Sequence, residues 1–139
     1  MLPLNSSHAT EQAIDRYEVE PYVFAEYVTS PDHPTQGQAS HSWLTGTAVW
    51  MFRIGVDQIL GFRPALEGMY LDPHIPADWS GFKAERKFRG KLLRLTVTNP
   101  DRHNSGVCSM VVNGVTVNGN LLNPTDYDAD TLEIEITLS

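Results

Sequence analysis

The chain has 139 residues, enough for one ordinary domain or for parts of two, and its 41% hydrophobic and 19% charged residues mark a globular composition. A formal net charge of -7 argues against nucleic acid as a partner, because a phosphate backbone is held by clustered Lys and Arg. No apolar run approaches the roughly 18 residues of a membrane span, so no membrane partner is expected.

The start, Met1 to Ser7, has neither the basic residues nor the long apolar core of a secretion signal, and a cytoplasmic setting is the expectation. Residues 1–19 are polar and irregular, with room for a short helical turn over Ala9 to Tyr17. Glu20-Pro21 opens a segment, Tyr22 to Val28, that is apolar nearly all round. Proline suits the first turn of a helix, so the segment predicts a buried helix that stops at Ser30-Pro31. Pro31 to Ser40 carries two prolines, a glycine and the polar Thr35, Gln36 and Gln38, and predicts a loop. Ser42 to Leu60 predicts the strongest helix. Trp43, Ala48, Met51, Phe52, Val56, Ile59 and Leu60 cover most of its faces, and only Arg53 and Asp57 are charged. Gly61 is a natural stop, with Pro64 soon after. So apolar a helix needs a surrounding helical layer, which this chain does not contain.

After Pro64 the period changes to two. Phe82, Ala84, Arg86 and Phe88 alternate with Lys83, Glu85 and Lys87. Leu93, Leu95 and Val97 alternate with Arg94, Thr96 and Thr98, and Leu132, Ile134, Ile136 and Leu138 with Glu133, Glu135 and Thr137. Asn113-Gly114 between two short apolar runs predicts a tight hairpin. The single cysteine, Cys108, rules out an intrachain disulfide and reads as a buried small hydrophobe. Lys83, Arg86, Lys87, Arg89 and Lys91 read as a solvated strand face. Trp79, Phe82 and Phe88 read as core rather than as a sugar-stacking face. Asp72 and Asp78, in a Pro-rich connection, read as part of a rigid link rather than as an acid pair. None of the five histidines has a partner four residues on, so no metal site is expected. Helices first and strands second predict an α+β chain of two unlike pieces.

Three segments carry more than fold. They are Glu20-Pro21-Tyr22-Val23, Ser42-Trp43-Leu44-Thr45-Gly46-Thr47-Ala48, and Leu71-Asp72-Pro73-His74-Ile75-Pro76. In the second, a hydroxyl residue followed by glycine at a helix start offers a hydroxyl, backbone N–H groups and a positive dipole end to an anion. Taken in order, the three resemble the C-terminal end of the inverting disaccharide phosphorylases of glycoside hydrolase family 94, which include cellobiose, cellobionic acid and chitobiose phosphorylases. The resemblance runs from about Glu20 to about Pro100, with a looser continuation to the end.

The resemblance implies that residues 1–62 supply the last helices of a catalytic (α/α)6 barrel. Residues 63–139 would supply an antiparallel C-terminal β-sandwich or sheet. It implies cleavage of a β-linked disaccharide by inorganic phosphate, with inversion, giving a sugar 1-phosphate. Thr45 and Gly46 would help to hold the phosphate. Glu26 falls where many relatives have a glutamine that contacts the phosphate and sugar end of the site. An ionised carboxylate beside phosphate is repulsive unless a cation or a shared proton intervenes, so Glu26 would meet a sugar hydroxyl, mark a different substrate, or serve only in a salt bridge. His41, just before the loop, would aid anion binding as an imidazolium or be polar filler. The family's general acid is an aspartate far upstream, as are the arginine and histidine that complete its phosphate site. The chain therefore carries no catalytic residue of its own and is expected to be inactive alone. No metal or organic cofactor is implied, only phosphate as co-substrate. The expected partners are the disaccharide, phosphate, and either the missing barrel or a second copy covering the apolar helices. The alternative is a non-catalytic carbohydrate-binding or protein-interaction β module with a helical arm.

Overall fold

The structure, a computed structural model, describes residues 10–20, 23–44 and 46–139. The chain divides into two compact units, Met1–Phe52 and Arg53–Ser139. Its class is α+β, with mostly antiparallel sheets.

In the first unit, α1 spans Glu11–Tyr17. Thr10 caps it, its hydroxyl oxygen accepting from the Ala13 N–H at 3.1 Å, and Glu18 ends it in the left-handed region at φ 64°. Tyr17 is buried with Ala25 and Ala39, and its hydroxyl donates to the Val23 carbonyl at 3.1 Å. Strands β1 (Tyr27–Val28) and β2 (Ala39–Ser40) pair antiparallel. Flanking bonds from Glu26 N–H to Ser40 O and from Thr29 N–H to Gln38 O lengthen the ladder.

This corrects the helix expected over Tyr22 to Val28. Pro21 and Tyr22 lie outside the described residues, and the remainder is not helical, with only Tyr27–Val28 in a strand. Seven residues, six of them apolar, cannot distinguish a helix from a buried strand by period alone. Here Val23 and Ala25 are buried, Phe24 is half-buried and Glu26 is exposed. From Glu26 to Thr29 the backbone bonds across the hairpin to Gln38–Ser40, residues that sequence reading assigned to a loop.

The second predicted helix starts later than expected. Helix α2 spans Thr47–Arg53 and is followed by a π-helical turn, Ile54–Ile59. His41 at φ 55° and Trp43 at φ 67° occupy a left-handed conformation that no helix accommodates. Nor is any residue of α2 buried among the described residues. Val49, Trp50 and Phe52 are 69%, 71% and 68% exposed. The apolar face is present and the layer that would cover it is not supplied by these residues.

The second unit has two sheets. Strands β3 (Phe62–Pro64), β4 (Met69–Leu71) and β9 (Leu121–Leu122) form one, in the order β3-β4-β9. The other contains β5 (Gly81–Phe88), β6 (Lys91–Thr98), β7 (Val107–Val112), β8 (Val115–Val117) and β10 (Thr131–Leu138), in the order β5-β6-β10-β7-β8. One pair, β6 with β10, is parallel, with Leu93 opposite Leu132 and Leu95 opposite Ile134. The inward faces of both sheets share one core, in which Phe62, Met69 and Leu71 meet Leu93, Leu95 and Ile134. Asn113 (φ 50°) and Gly114 (φ 81°) form the expected hairpin turn between β7 and β8.

Two surface readings change. Cys108 is exposed rather than buried. Thr137 faces Ser109 and Leu138 faces Val107, so Cys108 falls at a bulge and leaves the inward register of Met110 and Val112. Arg86, read as part of a solvated face, is drawn inward, where its Nη1 donates to the Phe62 carbonyl at 2.8 Å. Phe82 and Phe88 do pack on the core, whereas Trp79 is exposed.

Candidate functional site

Two of the three motifs meet in the first unit. The Trp43 indole N–H donates to Glu20 Oε1 at 3.1 Å, so Ser42-Trp43-Leu44 is tied to the residue that opens the Glu-Pro-Tyr segment. Glu20's own backbone N–H, the Ser42 side chain and the Trp43 indole all favour its ionised form and hold its carboxyl below the ordinary value. The segment approaching α2 is thus fixed on both sides of His41. His41 and Trp43 are left-handed, and α2 begins at Thr47.

Of the two residues expected to hold phosphate, Thr45 lies outside the described residues. Gly46 is exposed at the start of α2, and its carbonyl accepts from the Trp50 N–H at 3.1 Å. A Cβ added at Gly46 would lie 3.6 Å from Trp50 Cδ1, an ordinary contact. Glycine is therefore not required there by anything described within the fold.

Glu26 and His41, read separately in the sequence, are neighbours. The Glu26 N–H bonds to the Ser40 carbonyl, which places the two side chains on adjacent strand ends, and His41 Nδ1 is 3.7 Å from Glu26 Oε2. His41 Nδ1 also lies 2.9 Å from Ser40 Oγ, and its ring is 5.9 Å from that of Tyr27. His41 lines an open polar cleft of about 540 Å³ together with Tyr27, Thr29, His33, Gln38 and Ser40. Sequence reading missed this cleft. Its only signal was the set of polar side chains in the Pro31 to Ser40 loop.

The third motif belongs to the second unit and is structural there. Arg63 Nη2 donates to Asp72 Oδ2 at 2.6 Å, and the Asp72 and His74 N–H groups bond to the Gly61 and Ile59 carbonyls at 3.0 and 2.9 Å. The Asp78 carbonyl, not its carboxylate, accepts from Arg102. Asp72 and Asp78 thus act as parts of a link, as their Pro-rich setting implied. Asp57, which sequence reading left without a role, is buried and accepts from Arg53 Nε at 2.6 Å and from Arg86 Nη1 at 3.2 Å. Among the described residues no group of three or more His, Cys, Asp or Glu is placed to hold a metal ion. None of the described helices is long and apolar enough to cross a membrane.

Comparison with known proteins agrees with the family resemblance. Residues 3–61 match the family model described as the catalytic domain of the glycosyl hydrolase 94 superfamily. The chain is 36% identical over 119 residues to N,N'-diacetylchitobiose phosphorylase of Vibrio proteolyticus, which covers 86% of this chain and 14% of that protein. It is 32% identical over 124 residues to solabiose phosphorylase of Paenibacillus borealis, covering 89% of this chain and 16% of the relative. It is also 35% identical over 113 residues to the cyclic beta-(1,2)-glucan synthase NdvB of Rhizobium meliloti, covering 81% of this chain and 4% of that one. The chain therefore spans a small part of the length of each of these relatives, and by these matches it belongs to the glycosyl hydrolase 94 superfamily.

Proposed function

We propose that this chain is the C-terminal segment of an inverting disaccharide phosphorylase. In the intact enzyme a β-linked disaccharide is cleaved by inorganic phosphate, giving a sugar 1-phosphate and a free acceptor. The observation that carries the reading is the match to a diacetylchitobiose phosphorylase across 86% of this chain. The first unit contributes helices to the (α/α)6 barrel, and the second is a C-terminal β domain. The exposed apolar face of α2 is the surface that the rest of the barrel covers, or a second copy covers when the chain is alone. Inorganic phosphate is the co-substrate, and no metal or organic cofactor takes part.

Thr45 donates its hydroxyl to phosphate, and Gly46 lets an oxyanion approach the backbone. Glu26 lies at the phosphate and sugar end of the same site. The general acid that protonates the leaving oxygen comes from the preceding polypeptide. The test of these roles is Thr45→Val in the intact enzyme, with phosphate and disaccharide varied separately. A hydrogen bond to a charged group is worth about 1.5–3 kcal/mol, so efficiency toward phosphate falls about tenfold to a hundredfold. The dependence on disaccharide changes less. Gly46→Ala gives a phosphate-selective loss as well, since among the described residues the new Cβ meets only the Trp50 side chain, at 3.6 Å. Unchanged phosphate dependence in both variants would reduce the motif to a helix start.

A further inference from the structure

The cleft of about 540 Å³ in the first unit has a lining that the phosphate reading does not use. Among the described residues neither Glu26 nor Gly46 lines it, and no Lys or Arg does. Its one carboxylate is that of Glu18, and the rest of its polar lining is hydroxyl, amide and imidazole, with Thr29, Gln38 and Ser40 among them. Such a lining offers an anion no fixed cation. It suits a neutral ligand rich in hydroxyls, each of which can donate to a carboxylate or amide oxygen and accept from an N–H or O–H. Tyr27, 50% exposed, also lines the cleft, and its ring is 5.9 Å from that of His41. An aromatic ring beside a few polar groups is a setting in which a sugar, polar at its edge and apolar on its face, can pack. The volume falls within the range of about 300–1,000 Å³ that small-molecule sites occupy.

The lining is held in place by the fold. Gln38 Nε2 donates to Glu18 Oε2 at 2.6 Å, which joins the end of α1 to the residue before β2. The Gln38 N–H donates to Thr29 Oγ1 at 3.1 Å, and the Thr29 N–H to the Gln38 carbonyl at 2.9 Å. Glu18 ends α1 at φ 64°, a position where glycine costs least, and His41 stands at φ 55°. Two non-glycine residues in the left-handed region therefore line one cleft, and backbone strain of this kind collects at ligand sites. The backbone at Glu18 gives no reason for a glutamate there, whereas its side chain does. One carboxylate oxygen holds the Gln38 amide, while the other, and Gln38 Oε1, have no hydrogen bond among the described residues. Both are acceptors for adjacent hydroxyls.

We propose that this cleft binds a neutral sugar ring, the Glu18–Gln38 pair accepting from its hydroxyls and Tyr27 packing against its face. The inference goes beyond the phosphorylase reading, since it needs neither phosphate nor turnover.

The experiment uses the intact enzyme with fluorotyrosine incorporated at Tyr27 alone. It is titrated, without phosphate, with methyl β-glucoside, cellobiose and N,N'-diacetylchitobiose, and separately with inorganic phosphate. The fluorine NMR signal should shift saturably with at least one of the sugars and not with phosphate. Glu18→Gly removes the carboxylate and suits the left-handed backbone, so its thermal unfolding should stay near that of the parent. Losing a hydrogen bond to a charged group should move the midpoint of the sugar titration to about tenfold higher concentration. Gln38→Ala keeps the backbone bonds to Thr29 and should move the midpoint in the same direction. No saturable shift with any of the sugars, a shift with phosphate, or a midpoint unmoved in both variants would overturn the sugar site while leaving the phosphorylase reading in place. A parent that binds sugar in this way but cleaves disaccharide without phosphate would overturn that reading and leave the sugar site standing.

Discussion

Replacing Asp57 with alanine removes an acceptor that two arginines share. The carboxylate is 11% exposed, Arg86 is 26% exposed and Arg53 is 61% exposed. The Arg53 contact, though 2.6 Å long, is largely in water and contributes little. The Arg86 contact is the costly one to lose. Its guanidinium already donates to the Phe62 carbonyl at 2.8 Å and lies over the Phe62 ring, so it cannot swing out to solvent without breaking both contacts. Asp57→Ala therefore strands a half-buried charge. A hydrogen bond between charged groups is worth about 1.5–3 kcal/mol, and an uncompensated buried charge adds to that. We expect a loss of about 2–3 kcal/mol, or roughly 10–20 °C in Tm for a domain of this size. Urea unfolding followed by far-UV circular dichroism measures it. Asp57→Asn, which keeps one acceptor, should lose about half as much. Asp57→Ala paired with Arg86→Met should show a coupling above about 1 kcal/mol. A loss under about 0.5 kcal/mol for Asp57→Ala would refute the reasoning, because the clamp would then be no better than a surface ion pair.

Other outcomes follow from single contacts. Gly61 sits at φ 79°, and a Cβ there would lie 2.3 Å from the Asp72 carbonyl carbon. Gly61→Ala should therefore cost about 2–4 kcal/mol in the same unfolding assay, and near-parent stability would contradict the packing of the third motif. Glu20 has a lowered folded pKa, so its tie to Trp43 is intact above the ordinary carboxylate range and is lost as pH falls through the lowered folded value. Hydrogen exchange at the Trp43 indole, corrected for its intrinsic pH dependence, should show an added acid-side loss of protection in the parent. In Glu20→Gln that step should be absent, and an identical acid-side profile would remove the tie. Trp43, Leu44, Val49, Trp50 and Phe52 are all exposed, so the isolated chain should self-associate and bind an apolar dye. Trp50→Ser with Phe52→Ser should weaken both, and a monomer in light scattering at high concentration, without dye binding, would count against a covered face.

The β unit was legible because its signals are local. Alternation over Phe82 to Phe88 and Leu132 to Ile136 predicts which side chains face inward, and Leu132, Ile134 and Ile136 are all within 1% of full burial. The hairpin at Asn113-Gly114 follows from the residues themselves. A second tight turn, Arg89-Gly90 at φ 48° and 81° between Phe88 and Lys91, escaped notice because arginine is not a usual first residue of such a turn. The parallel pairing of β6 with β10 joins strands far apart in sequence, and no local pattern encodes it. At the N-terminal end, the short apolar run before Tyr27 fits strand or helix equally, and the deciding bonds come from Gln38 and Ser40. The Glu26–His41 contact was hidden for the same reason. Both residues were singled out, yet fifteen positions of chain separate them, and only the hairpin brings them together.

The central claim is tested most directly by expressing this chain together with its native upstream coding sequence and measuring sugar 1-phosphate release from cellobiose, cellobionic acid, laminaribiose and N,N'-diacetylchitobiose. The anomer released is read by proton NMR, and the 139-residue chain is assayed alongside. The account predicts phosphate-dependent cleavage of at least one β-linked disaccharide by the longer polypeptide, with an α-configured sugar 1-phosphate as product, and no release by the chain alone. Cleavage that proceeds equally well without phosphate, sugar 1-phosphate release by the purified chain alone, or an upstream sequence that encodes no further part of the enzyme would contradict it.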